Sequence, residues 1–348
     1  MKRIAFLLII AVALMSFCSC NILFAILERP RGETGMEDQT DQYDSMLERV
    51  EDWHKVVTVE PIVTEHEILD MIDGSTATIP ITAELYRQFY DYSDDEITYN
   101  VSHTKTHEAY MNLITKHCRC VVPYASLCDD LYNGDEQKTV DIIFATYPSE
   151  DELSEAAANA VELEFEPIAM DGFVFITHKN NPIESLTVQQ VRDIYSGKIT
   201  NWKDIGGEDL PIKAYQRNPN SGSQTAMEEF VMQGEELMEA PEARVAQVMS
   251  MLVDVIAEYE NGSASIGYTY KYYINNLYKS PDIKIINIEG IAPDNENLLN
   301  ASYPFTTSYY AVIRKDEPEG TPARNLRDYL LTDEGQSVVE MAGYCGVR

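Results

Sequence analysis

Residues 140–146 read Val-Asp-Ile-Ile-Phe-Ala-Thr, a strand-length run dominated by apolar and β-branched residues. Working outward, Phe-Val-Phe-Ile-Thr at 173–177 and Tyr-Tyr-Ala-Val-Ile at 309–313 have the same character. Helical segments with recognisable starts lie between and after them. Thr187-Val-Gln-Gln190 is a capping box, and Val191, Ile194 and Tyr195 follow at helical spacing before Gly197 stops the helix. Thr321-Pro322 is an N-cap followed by proline at the first helical position, with Leu326, Tyr329 and Leu330 as the apolar face. Strands alternating with helices imply an α/β architecture with mostly parallel sheets. Such sheets bind ligands where strand C-terminal ends meet helix N-termini.

Composition narrows the function. The 348 residues are 45% hydrophobic and 24% charged, an ordinary globular balance, and the length suits two domains. Against 26 Lys and Arg stand 58 Asp and Glu, a formal charge of −32 that argues against nucleic acid as partner. Six cysteines are too few for a disulfide scaffold in a chain this long.

The N-terminus sets the compartment. Lys2 and Arg3 precede an unbroken apolar run from Ile4 to Leu14, the pattern of a secretory signal. Ser19-Cys20 resembles a lipoprotein cleavage site, with Cys20 as the lipid anchor. Apolar residues resume at 22–27, so residues 4–27 also fit an uncleaved signal anchor, with simple secretion as a third alternative. All three place the mature chain outside the cytoplasm. Residues 1–27 are therefore the signal or anchor segment. From Glu28 to about Asp52 the chain is polar and acidic, so 28–59 is expected to be a flexible acidic linker. The acidic stretch at 91–96 reads as a solvated loop.

Three loop-to-helix junctions offer hydroxyls and backbone N–H groups. They are Asp73-Gly-Ser-Thr76 before a helix at 82–90, Thr104-Lys-Thr-His107 before a helix at 108–114, and Arg217 to Gln224 before a helix reaching Val231. Ser221-x-x-Gln224 is again a capping box. A helix N-terminus attracts anions, and Gly74 and Gly222 would let the backbone approach one closely.

Leu186-Thr187, the block Ile194-Tyr-Ser-Gly-Lys-Ile-Thr-Asn-Trp202 and the block Arg217-Asn-Pro-Asn-Ser-Gly-Ser223 together resemble the phosphate-binding proteins of ABC importers. The likeness extends over roughly residues 68–344. It implies a two-lobed periplasmic-binding-protein type II fold, with mixed sheets flanked by helices and the ligand in the interlobe cleft. Lobe 1 would hold 60–170 plus 300–348 and lobe 2 would hold 171–299, with crossings near Pro167–Asp171 and Asn297–Tyr303. Carried over by motif, the ligand residues are Ser75 and Thr76 in the first loop and Thr104 and Thr106 in the second. Asp141 supplies the carboxylate, and lobe 2 contributes Arg217, Ser221, Gly222 and Ser223. The resemblance further implies inorganic phosphate as ligand, a permease as partner, a monomer, no cofactor and no catalysis.

The chemistry of those positions suits the role. A tetrahedral oxyanion needs convergent donors, which hydroxyls, amides and a guanidinium supply. A carboxylate such as Asp141 would accept the proton of monohydrogen phosphate and reject sulfate, molybdate or tungstate, which carry none. Another oxyanion, an organic phosphate, a surface sensor or a phosphatase grafted onto the scaffold are the alternatives. His117, Cys118, Cys120 and Cys128 lie in or beside a stretch, 117–138, that the resemblance marks as inserted, where a disulfide, zinc and free thiols all stay open; Cys345 could join the first. His103 and His107 read as polar surface, and Trp202 as a packing anchor of lobe 2. There is no HExxH, GxSxG or Walker A sequence.

Overall fold

The computed structural model describes residues 49, 52–61, 71–119, 139–258 and 264–347. The apolar run at 4–27, Cys20, Cys120 and Cys128 lie outside the described residues. The first lobe begins with β1 (Ile72–Gly74), a 3-10 turn over Thr76–Thr78, α1 (Ile79–Tyr90), α2 (Asp94–Asn100) and α3 (Thr106–Thr115). It continues with β2 (Ile142–Ala145) and α4 (Glu150–Ala158) before β3 (Leu163–His178) leads into the second lobe.

That lobe carries β4 (Ser185–Leu186), α5 (Val188–Tyr195), β5 (Lys213–Ala214) and β6 (Gln216–Arg217). Then come α6 (Gly222–Thr225), continued as a π-helix over Ala226–Met232, and β7 (Val245–Ala246). After these stand α7 (Met249–Ala257), β8 (Ser265–Tyr270), β9 (Ile283–Ile288) and α8 (Asn295–Leu299). The chain returns to the first lobe through β10 (Thr306–Arg314), α9 (Pro322–Leu330) and α10 (Asp333–Met341).

β3 joins the lobes. Its residues 163–172 pair antiparallel with β10, whereas 173–177 pair with β8 and 175–178 with β9. The handover at Gly172/Phe173 falls just beyond the expected crossing. β10 continues to β2, and β2 pairs parallel with β1. Of the main sheet's pairings, β1–β2, β5–β8 and β4–β9 are parallel. The long central strands run antiparallel, so the sheet is mixed rather than mostly parallel. At the handover the buried Asp171 carboxylate accepts from the Gly172 N–H (2.7 Å), the Tyr272 N–H (3.1 Å) and the Tyr309 hydroxyl (3.1 Å).

The run at 140–146 has a clear physical basis. Ile142 and Phe144 face the large core, while Ile143 and Ala145 face a second cluster with Ala109, Tyr110, Leu113 and Val312. A strand covered on both faces reads as continuously apolar rather than alternating. The Thr187–Gln190 capping box forms in full, and Gly197 adopts φ 78° just past the helix. Trp202 is buried and donates its Nε1–H to the Ala264 carbonyl (2.9 Å), a packing anchor.

Other local expectations change. Thr321 stands at the N-cap of α9, but its hydroxyl donates to the Pro318 carbonyl instead of receiving an amide. Ser93 and Glu96 make a capping box, so the acidic stretch opens α2. The linker does not extend to 59: Trp53 donates to Glu84 (2.7 Å), and the amides of Val56 and Val57 donate to Gln88, fastening this segment to α1.

Candidate functional site in the cleft

The first wall grows from the C-terminal ends of β1 and β2. A Cβ on Gly74 would lie 2.3 Å from the Phe144 carbonyl, so only glycine permits this approach. The next residue, Ser75, donates its N–H to the same carbonyl (2.9 Å) and is buried. The Thr78 hydroxyl lies 2.6 Å from that oxygen as well. Thr76, half-buried, opens the 3-10 turn.

His103 clamps the Ser75 loop. Its Nδ1 lies 2.8 Å from the Ser75 carbonyl, which can only accept, so Nδ1 carries the proton. Nε2 then accepts from the Thr82 hydroxyl (3.0 Å). Burial pulls the imidazole down to about 4, against the opposing influence of Asp73, so the ring is neutral at pH 7. His103 is a structural bridge rather than polar surface. Half-buried His107 pairs with buried Glu152 (3.1 Å).

Asp73 organises the second loop. It accepts from the Thr104 N–H (2.8 Å), the Thr104 hydroxyl (2.5 Å) and Asn112 Nδ2 (3.0 Å). Thr104 is thereby corrected from ligand to scaffold, because the donors it could offer are already spent. Lys105, exposed, takes φ 84° and ψ 166°, a region normally reserved for glycine, to deliver Thr106 to the start of α3.

The second wall belongs to lobe 2. Arg217 is 8% exposed. Its Nε–H donates to the Ala246 carbonyl (3.0 Å), and its terminal nitrogens reach Ser223 Oγ (3.3 Å) and the Gln247 carbonyl (3.5 Å). Its backbone N–H is shared between Gln224 Oε1 and the Tyr268 hydroxyl, each at 3.0 Å. Ser221 caps the helix by accepting from the Gln224 N–H (3.3 Å), but the Gln224 side chain turns to Arg217 and Glu228, so the capping box is half made. Among the described residues no carboxylate pairs with Arg217, and burial draws its pKa down. An uncompensated buried cation is costly and calls for an anion.

The two walls meet at Gly222. A Cβ there would lie 2.6 Å from Thr146 Oγ1 and 3.0 Å from Thr106 Oγ1, both across the cleft. Nearby, Asn220 Nδ2 donates to Asp151 (3.0 Å), and the Tyr270 hydroxyl donates to the Gly222 carbonyl (2.9 Å). Thr106, Gly222, Ser223 and Arg217 thus form one contiguous group, with Ser75 on the same edge of the sheet. Thr146 and Tyr270 belong to it and escaped the sequence reading. The signal for Thr146 was available: it is the polar residue just past the C-terminal end of β2, where ligands sit in such sheets.

Asp141 does not join them. It precedes β2 and so lies at the opposite end of that strand, five residues or about 16 Å from Thr146 at the usual rise. Its carboxylate is held by buried Arg314 (2.5 Å) and the Thr139 hydroxyl (2.7 Å). The position carried over from the resemblance is an ion pair of the fold.

Among the described residues no three His, Cys, Asp or Glu side chains gather to hold a metal ion, and no helix is long and apolar enough to cross a membrane. A separate cavity of about 220 Å³ opens behind the hinge beside Asp171, Lys271 and Cys345.

Residues 63–334 match the PBP superfamily domain. Over 282 residues the chain is 26% identical to the phosphate-binding protein PstS of Staphylococcus aureus, covering 78% of this chain and 76% of that one. It is 29% identical over 184 residues to the PstS of Staphylococcus epidermidis, covering 51% of this chain and 54% of that protein, so it spans about half that relative's length. Among solved structures, one described as a phosphate ABC transporter substrate-binding protein with bound phosphate from Clostridium perfringens aligns with TM-score 0.56 at 25% identity, over 80% of this chain and 98% of the other. An ABC-type phosphate transport receptor from Vibrio cholerae shares the fold, with TM-score 0.52 at 21% identity over 79% and 98% of the two chains. The domain match covers most of the sequence, and the chain belongs to the PBP superfamily.

Proposed function

We propose that this chain is an extracytoplasmic solute-binding protein that captures inorganic phosphate between its lobes and passes it to an ABC-type permease. One observation carries the reading: among the described residues no carboxylate pairs with the buried Arg217 guanidinium, which reaches Ser223 next to Gly222, where the two walls meet. A tetrahedral oxyanion would supply the missing charge and take the hydroxyl donors. The names of the PstS relatives support phosphate as that ion. Ser75 and Thr76 would contribute from lobe 1, and Ser221 from the rim of lobe 2. Lobe 1 (60–170 plus 300–348) and lobe 2 (171–299) would close around the ligand, a binding event with no bond broken. Residues 1–27 would hold the chain at the outer face of the membrane, through Cys20 or as a signal anchor.

Titration calorimetry of the full chain with phosphate tests this directly. Saturable binding, with a melting temperature that rises with phosphate, is expected. No heat and no thermal shift at millimolar phosphate would refute the assignment.

A further inference from the structure

The loss of Asp141 from the cleft changes what the site can discriminate. A carboxylate can only accept hydrogen bonds, so one in the cleft would demand a protonated anion. The carboxylates near the cluster are turned elsewhere: Asp73 to Thr104 and Asn112, Glu152 to Ser149 and His107, Asp151 to Asn220, and Glu228 to Gln224. At the end of β2, where strand direction points into the cleft, stands Thr146. It is 4% exposed, its hydroxyl lies beside that of Tyr270, and its Oγ1 faces Gly222 across the cleft. The Tyr270 hydroxyl already donates its proton to the Gly222 carbonyl, so the Thr146 hydroxyl keeps hydrogen-bonding capacity for a ligand in the cleft.

We propose that Thr146 is the specificity-determining residue of the cleft, and that its hydroxyl lets the site take tetrahedral dianions with or without a proton, sulfate alongside phosphate. A hydroxyl rotates: it donates to a bare oxygen of sulfate and accepts from the O–H of monohydrogen phosphate. Neither anion leaves a buried group unsatisfied, so the penalty that would reject sulfate is absent. The inference rests on the anion-binding reading above.

Calorimetric titration of the full chain with sodium phosphate and sodium sulfate, in a buffer containing neither, separates the two. The expected result is binding of both, with dissociation constants within tenfold. Thr146→Asp should then widen the ratio at least tenfold by weakening sulfate, and Thr146→Val should weaken both anions by similar factors. If Thr146→Asp does not fold, the unmodified chain and Thr146→Val decide. A phosphate preference above tenfold in the unmodified chain, or unchanged affinities in Thr146→Val, overturns the proposal while leaving phosphate capture intact. Binding of neither anion removes both.

Discussion

The two walls of the cleft are built from opposite materials. Lobe 1 presents hydroxyls and amides on loops fastened by a buried carboxylate, Asp73, and a neutral imidazole, His103. Lobe 2 presents a buried cation, Arg217, fastened by main-chain carbonyls that do not cancel its charge. One wall supplies shape and donors, the other the net attraction. Each wall is therefore expected to fail in its own way.

The largest effect should follow removal of the charge. Arg217→Ala is expected to weaken phosphate binding about 1,000-fold, roughly 4 kcal/mol, with the melting temperature of the free protein little changed or raised, since an unpaired buried charge is lost. Near-normal affinity in calorimetry would break the contrast between the walls. Asp73→Asn should act the other way round. Losing the carboxylate that ties β1 to the Thr104 loop should cost about 3 kcal/mol of stability in urea unfolding, with a smaller loss of affinity.

Next comes pH. The His103 ring is held by burial at about 4 against the ordinary 6.5. As pH falls below 6.5 the unfolded chain takes up a proton that the folded chain refuses until about 4. Stability is thus present above 6.5 and lost across that window, by about 2 kcal/mol after allowing for partial exposure. Asp171 at the hinge runs in the opposite sense: burial raises its carboxyl from 3.8 to about 7, so its contribution is present below 3.8 and lost as pH rises through 7. The two slopes oppose each other between pH 4 and 6.5. Urea unfolding of Asp171→Asn should uncover the His103 slope, and a flat profile in that variant would contradict the neutral-imidazole assignment.

Asp141→Asn should cost about 1–2 kcal/mol, because Arg314 keeps Glu317 at 3.2 Å and two carbonyls, and should leave anion selectivity untouched. Altered selectivity would return Asp141 to the cleft. The smallest effect belongs to Lys105→Gly. Relieving its φ of 84° should raise stability by about 1 kcal/mol, measured as a shifted urea midpoint.

What the sequence disclosed follows the range of each interaction. The strand at 142–145 and the capped helix after Thr187 depend on neighbours within a few residues, and both were readable. Thr104 was misread because its partner, Asp73, lies 31 residues away in the chain, and Tyr270 was missed because its carbonyl partner lies 48 away. Asp141 failed differently. A motif match placed it, whereas the direction of β2 alone would have favoured Thr146.

The threading of β3 has a bearing on synthesis. Every strand that pairs with residues 173–178 is complete by Ile288 and α8 by Leu299, so the second lobe can assemble once Leu299 leaves the ribosome. The first lobe cannot: β2 waits for β10, and its edge stays open until residues 306–314 emerge. Truncation between Leu299 and that strand would leave a finished half carrying an unfinished, adhesive one.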